Sequence, residues 1–118
     1  MLELYQTEWC PASRRVRERL TELGLDYLVH QVPVERGTRV ALVAATGYDT
    51  IPALLLDNGT AVVGEEAIGA HLEEHFNEPP EAEAHRAKAA SARRRYLEEQ
   101  CDCVDAVRHR TGGEDRGL

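Results

Sequence analysis

One segment near the N-terminus combines a cysteine, a proline and two arginines at the start of a predicted helix. Residues 7–15 read TEWCPASRR. Pro11 suits the first turn of a helix, because its missing N–H needs no intrahelical partner there. Cys10 therefore lies at the helix N-terminus, where unpaired N–H groups and peptide dipoles favour a thiolate. With Arg14 and Arg15 adding positive charge, Cys10 is the best candidate nucleophile, and the alternative is a small buried cysteine.

A βαβ unit is predicted to position this cysteine. Residues 2–5 alternate apolar and polar side chains, which is typical of a short strand. The helix after Cys10 places apolar residues on one face and ends at Gly24, and residues 25–32 form a second strand closed by Pro33. The apolar face consists of Val16, Leu20 and Leu23. Two strands joined by one helix are normally parallel.

The following segments predict a helix, a hairpin and a third helix. Residues 35–45 carry apolar residues at helical spacing and stop at Gly47; these are Val40, Val43 and Ala44. The apolar runs 53–56 and 61–63 flank an Asn-Gly turn, which is a strong hairpin signal. A helix is predicted over residues 65–75. The order is therefore β-α-β-α-β-β-α, an α/β fold.

The C-terminal third of the chain has a different composition. Pro79 and Pro80 end the third helix, and residues 81–107 are rich in alanine and charge with a narrow apolar stripe, which predicts one long helix. We therefore divide the chain into a domain over 1–78 and a helical extension and tail over 79–118. So narrow a stripe predicts docking on the chain's own domain or, as a homodimer, on a second subunit.

Composition limits the classes of function. A chain of 118 residues with 42% hydrophobic and 30% charged residues is one soluble globular domain. Its net charge of −7 argues against a nucleic-acid partner. The longest apolar run, residues 51–56, is too short to cross a membrane, and the N-terminus does not resemble a secretory signal. Three cysteines suit a reducing compartment, so we expect a cytoplasmic protein.

Three motifs together resemble a known family. They are CPAS at residues 10–13, TIP at 50–52 and GEE at 64–66. Over residues 1–77 the chain is similar to glutaredoxins and to the N-terminal domains of glutathione transferases, especially cysteine-type transferases such as the Omega class. This resemblance implies a thioredoxin-like fold with a four-stranded mixed sheet, followed here by an extra C-terminal helix.

The resemblance also implies a site. Cys10 is expected to be catalytic, with Ser13 or nearby backbone N–H groups stabilising its thiolate, and Pro52 is expected to be cis and to face the cysteine. The backbone N–H and C=O of Ile51 would then pair with an extended thiol, much as an added strand does. The expected thiol-binding residues are Trp9, Pro11, Arg14, Thr50, Ile51, Pro52, Glu65 and Glu66. Trp9 either lines the thiol pocket or packs under the loop.

Two positions depart from the family pattern. Glutaredoxins usually have a lysine where this chain has Thr7. Transferases show Glu-Ser at the third helix, where a ligand carboxylate meets the helix N-terminus, and this chain has Glu65 and Glu66. Acidic side chains stabilise a helix start, but they also repel a bound carboxylate; one of them could instead hold the ammonium group of the ligand.

The resemblance implies a monothiol mechanism. Ser13 occupies the place of a second cysteine, so release of a mixed disulfide at Cys10 needs an external thiol. We expect a glutaredoxin-like thiol–disulfide oxidoreductase with glutathione or another low-molecular-weight thiol as co-substrate, mixed disulfides as substrates, and neither a tightly bound cofactor nor a metal. The alternatives are transferase-like conjugation or dehalogenation, a dimer holding an iron–sulfur cluster, and a non-catalytic adaptor.

Four other features have simpler interpretations. Cys101 and Cys103 lie two residues apart on a predicted helix, so they cannot both face one site. The HLEEH segment at 71–75 matches an inverted zinc-protease pattern, but a half-exposed helix face is favoured because no third ligand is present. Tyr5 is expected in the core rather than at the thiol. Arg93–Arg95 is expected on a solvated helix face.

Overall fold

A four-stranded mixed sheet forms the centre of the computed structural model, which describes residues 1–97. The elements are β1 (Leu2–Gln6), α1 (Pro11–Glu22), β2 (Tyr27–Gln31), a 3₁₀ turn (Arg36–Thr38), α2 (Val40–Thr46), β3 (Ala53–Leu55), β4 (Ala61–Val63), α3 (Glu65–His75) and α4 (Ala82–Leu97). This confirms the predicted β-α-β-α-β-β-α order with a further helix. The rest of the predicted 81–107 helix, with Cys101 and Cys103, lies outside the described residues.

Two loops lie at the same end of the sheet. Its strand order is β2-β1-β3-β4, with β1 parallel to β2 and antiparallel to β3. Tyr5 of β1 pairs with Ala53 of β3. The loop after β1, which leads to Cys10, and the loop before β3, which contains Pro52, therefore lie at the same end of the sheet.

Helix α1 is held against the sheet by the face predicted from the sequence. Val16, Leu20 and Leu23 are buried in one apolar cluster with Leu4, Leu54, Ile68 and Leu72. The helix ends in a Schellman motif, because the N–H of Leu25 donates to Leu20 and that of Gly24 donates to Thr21, both at 3.0 Å. Gly24 has a φ of +70°, which glycine adopts at little cost.

The second helix differs from its prediction. The predicted helix over 35–45 is divided at Arg39, whose backbone is not helical, and α2 begins at Val40. Leu42 is the residue buried on α2, whereas Val40 is 74% exposed and Val43 is 45% exposed. The predicted apolar face was therefore wrong. A helix of only two turns places one residue fully against the sheet, and the helix begins after Arg39.

Contacts divide the chain after Ala82. Residues Met1–Ala82 form one compact unit, and the second begins at Glu83 within α4. The division predicted from the sequence, after residue 78, stays a prediction. Among residues 1–97, no helix has both the length and the apolar character needed to cross a membrane.

Candidate functional site

Cys10 is the N-cap of α1. Its backbone is extended, with φ −82° and ψ 118°, and Pro11 occupies the first helical position. The backbone N–H of Ser13 donates to the Cys10 Sγ at 3.4 Å. The side chain is half-buried rather than sealed in apolar packing. The sulfur therefore takes the place of the usual capping oxygen and accepts one of the free N–H groups of the helix.

Ser13 supports this sulfur from beneath. The residue is fully buried, and its Oγ accepts the backbone N–H of Thr7 at 3.5 Å. The Ser13 side chain also forms a hydrogen bond with Cys10 that favours the thiolate. A hydroxyl that accepts from a backbone N–H and donates to a thiolate is oriented at both ends.

The environment lowers the pKa of Cys10. Partial burial raises this pKa, but the side-chain and backbone hydrogen bonds of Ser13, the N–H of Ala12 and the charge of Arg15 together outweigh burial. These are the hydrogen-bond and charge effects that stabilise an ionised thiol. Arg14 is exposed and is not among the groups that shift this pKa. Of the two arginines named from the sequence, Arg15 is therefore the one that supplies the favourable charge.

Arg15 also joins α1 to α3. Its guanidinium binds Glu65 in a fork, with Nε–Oε2 at 2.5 Å and Nη2–Oε1 at 2.9 Å. This pairing lowers the pKa of Glu65. Glu65 is thus already compensated by a cation, whereas Glu66 beside it is exposed. A groove of about 640 Å³ runs between the two helices, and Cys10 is not among its lining residues.

The loop before β3 has the predicted cis peptide. The Ile51–Pro52 bond is cis, and the buried Pro52 accepts the N–H of Gly64 at 2.8 Å through its carbonyl. This bond fixes the start of α3 against the loop. Within residues 1–97, the backbone N–H and C=O of Ile51 take part in none of the hydrogen bonds of turns, loops and helix caps. Ile51 therefore has the unpaired backbone that an extended thiol requires.

A buried arginine that the sequence did not reveal holds this loop. Arg39 is only 6% exposed, and its guanidinium donates to three backbone carbonyls. These are Pro33 at 2.8 Å, Val34 at 3.1 Å and Asp49 at 2.8 Å. Arg36 binds the same loop from outside, pairing with the Asp49 carboxylate at 2.7 Å. No sequence motif marks Arg39, because its partners are backbone groups.

A second arginine holds the loop that precedes Cys10. Arg17 donates to the Oε1 of Gln6 and to the carbonyl of Thr7, the latter at 3.3 Å. It also forms an ion pair with Glu8 at 3.3 Å. Gln6 is itself fully buried. Each of the two loops at this end of the sheet is therefore held by a different arginine.

The remaining predicted site residues lie on the surface. Trp9 is 61% exposed, which does not fit the alternative that it packs under the loop, and its role at the thiol pocket stays a prediction. Thr50 is exposed, and its hydroxyl accepts from Arg36 at 3.3 Å. Pro11 is exposed at the first turn. Thr7 is 4% exposed and its Oγ1 has no hydrogen-bond partner among the described residues, so it does not replace a surface lysine.

The other sequence features fall outside this site. Tyr5 is buried, as predicted, and stacks on His30 with ring centroids 4.4 Å apart; burial raises its pKa. His71 and His75 stack on each other at 4.2 Å. Over residues 1–97, no group of three or more His, Cys, Asp or Glu side chains could hold a metal ion. Arg93 and Arg94 are exposed.

The fold and the position of the cysteine define a class. A mixed sheet in this order, a cysteine capping the first helix and a cis-proline before the third strand form a thioredoxin-like domain. Residues 4–80 match the family model of the glutathione S-transferase N-terminal domain. The chain therefore belongs to that family. A comparison with curated proteins gave no match.

Solved structures agree with this assignment. A glutathione S-transferase from Rhodospirillum rubrum F11 is 32% identical to this chain, and the match has a TM-score of 0.58. The match covers 67% of this chain and 35% of the transferase chain. A glutathione transferase homologue from Sulfitobacter, solved with bound glutathione, is 25% identical, covering 63% and 36%, with a TM-score of 0.55. The chain thus spans about a third of the length of these transferases.

One similar structure is shorter. A buckwheat glutaredoxin–glutathione complex is 21% identical, covering 62% of this chain and 68% of its own, with a TM-score of 0.51. This likeness shows the shared thioredoxin-like fold.

Proposed function

We propose that this domain binds a low-molecular-weight thiol of the glutathione class and exchanges disulfides through Cys10. The observation that carries the proposal is the Cys10 sulfur, which caps α1, accepts the Ser13 N–H and has a lowered pKa. A thiolate that is both stabilised and half-exposed is a good nucleophile and a good leaving group. The structural role of a buried cysteine would require neither property.

The reaction proceeds in two exchanges. The Cys10 thiolate attacks the glutathionyl sulfur of a mixed disulfide, forming the Cys10–glutathione disulfide and releasing the other half as a thiolate, which takes a proton from water. A glutathione thiolate then attacks the glutathionyl sulfur on Cys10. Oxidised glutathione leaves and the Cys10 thiolate is restored. Ser13 is a hydroxyl and cannot form a disulfide, so the second exchange depends on the external thiol.

Binding uses the opposite loop. The unpaired backbone of Ile51 would accept and donate one hydrogen bond each to the cysteinyl part of the thiol. Two structures of the same fold, from buckwheat and Sulfitobacter, contain glutathione. Glu65 is paired with Arg15, whereas Glu66 at the same helix start is exposed.

A second candidate is transferase-like conjugation of a thiol to an electrophile. The family match over residues 4–80 favours it, as do the transferases among the similar structures. Here Cys10 or its hydrogen-bonding groups would activate the bound thiol. The described part of the chain after Pro80 contributes the single helix α4, and an electrophile site would need additional surface.

Mass spectrometry tests the proposed function directly. After exposure to oxidised glutathione, the wild-type protein should gain one glutathionyl group, and C10S should gain none at this position. A C101S/C103S double variant is the matched control, and it should react as the wild type does. Serine is also a good N-cap residue, so C10S should keep its fold.

Two assays then separate the candidates. Disulfide exchange measured with a glutathione mixed disulfide should fall to background in C10S. Conjugation of glutathione to a chloro-aromatic compound should be slow in the wild type. An unmodified Cys10 together with rapid conjugation would overturn the exchange mechanism in favour of the transferase, and neither adduct nor activity would favour an adaptor.

A further inference from the structure

Arg39 joins two loops through backbone carbonyls alone. Its Nε donates to Pro33, its Nη2 to Val34 and its Nη1 to Asp49, all within 3.1 Å. Pro33 and Val34 follow β2, and Asp49 lies just before the cis peptide. The side chain thus connects the exit of one strand to the entry of another. No side-chain carboxylate takes part in these three bonds.

The chemistry of this contact is specific to arginine. A guanidinium carries its N–H groups in a rigid planar fork, so it can satisfy three separate carbonyls at once, whereas an ammonium group is a compact point donor on a flexible stem. At 6% exposure, a cation that lost these partners would be left without hydration. The fork therefore fixes the positions of all three carbonyls together.

The position of Asp49 constrains that of Ile51, two residues later. Arg36 adds an ion pair to the Asp49 carboxylate and a hydrogen bond to Thr50, but it lies on the surface. We propose that Arg39 is a positioning residue that sets the affinity for the thiol by holding the backbone of residues 49–51. This proposal rests on the proposed function, because it assigns Ile51 as the thiol's partner.

Arg17 provides the matched comparison. It is partly buried and also binds a loop carbonyl, but its partners are Gln6, Thr7 and Glu8, on the side of Cys10. If each arginine acts through its own loop, their substitutions should change different quantities. The R39K variant should weaken binding of the thiol, and the R17K variant should alter the reactivity of Cys10.

The experiment measures both quantities in both variants of the full chain. For R39K, the glutathione concentration that gives half-maximal exchange should rise on the order of tenfold, since small displacements of a positioning group have effects of this size or larger. The pH profile of Cys10 alkylation by iodoacetamide should match that of the wild type. For R17K, the alkylation profile should move, with a smaller change in half-saturation. Chemical denaturation confirms that each variant is folded under the assay conditions.

Amide hydrogen exchange supplies an arm that needs no activity. R39K should speed exchange in a peptide covering residues 48–53 and leave residues 7–13 unchanged. The role of Arg39 would be overturned if amide hydrogen exchange in residues 48–53 were as slow in R39K as in the wild type. It would also be overturned if R39K moved the alkylation profile of Cys10 and left the half-saturating glutathione concentration unchanged. Wild-type protein that neither saturates with glutathione nor forms the adduct would instead refute the proposed function, while the exchange measurement still decides whether Arg39 holds the loop.

Discussion

The two loops of the site are held in different ways. The Cys10 loop is held by the helix that follows it, since Ser13 bonds with Thr7 and with Cys10 and Arg17 donates to the carbonyl of Thr7, all from α1. The Pro52 loop is held from two separate parts of the chain. Arg39 reaches Asp49 across ten residues, and Gly64 donates to the Pro52 carbonyl from the start of α3.

This difference separates two properties of the site. The hydrogen bonds and charge around Cys10 set the fraction of thiolate, whereas the Pro52 loop sets the position of the backbone that a thiol would pair with. Neither arrangement needs a residue of the other. Substitutions on one side should therefore change reactivity, and substitutions on the other should change binding.

The largest effect is expected from Leu42 to alanine, on the side of the Pro52 loop. Leu42 is 1% exposed and packs in a cluster with Tyr5, Val32 and Ala53, against which Ile51 also lies. Truncating a fully buried leucine costs about 2–5 kcal/mol. Urea denaturation should show this loss. The half-saturating glutathione concentration should also rise, while the alkylation profile of Cys10 should stay at its wild-type position.

Val43 to alanine is the control on the same helix. Val43 is 45% exposed, so V43A should change the free energy of unfolding by less than about 1 kcal/mol. Equal destabilisation of the two variants would contradict the assignment of Leu42 as the buried face of α2.

The next largest effect is expected from Ser13 to alanine, on the side of Cys10. This substitution removes the side-chain hydrogen bond to the thiolate and so raises the pKa of Cys10. A hydrogen bond to a charged group contributes about 1.5–3 kcal/mol, and about 1.4 kcal/mol corresponds to a factor of ten. Alkylation at a pH well below the pKa of Cys10 should therefore slow by about tenfold or more.

The shape of the profile provides the check for S13A. Once the pH lies above the midpoint of both proteins, their alkylation rates should converge, because both cysteines are then ionised. Half-saturation by glutathione, measured at such a pH, should change little. Slower alkylation of S13A at every pH would indicate a steric effect in place of a changed pKa.

The same contrast explains what the sequence could predict. The position of Cys10, the end of α1 just before Gly24 and the start of α3 at Glu65 depend on capping, proline and glycine within a few residues. These preferences are local, so they can be read from the chain. The cis-proline was predicted from the family resemblance and is confirmed.

The features that were missed depend on tertiary packing. Arginine is usually found on the surface, so the sequence gives no reason to expect Arg39 in the interior. Only the tertiary structure brings the carbonyls of Pro33 and Asp49 to its guanidinium. The prediction of which face of α2 is buried was wrong for the same reason, because helical spacing could not show that the helix begins after Arg39. Charged residues with backbone partners carry no pattern that sequence analysis can detect.

The smallest effect is expected from substitutions in the ion pair between Arg15 and Glu65. Removing the positive and the negative partner should change the reactivity of Cys10 in opposite directions. R15Q removes a charge that favours the thiolate, so alkylation below the midpoint should slow by about twofold. E65Q removes the carboxylate that binds Arg15 most strongly and should speed alkylation by a similar factor. Exposed pairs contribute about 0–1 kcal/mol and are screened by salt, so both changes should shrink at high ionic strength. Changes in the same direction would show that the pair acts on Cys10 through packing and not through charge.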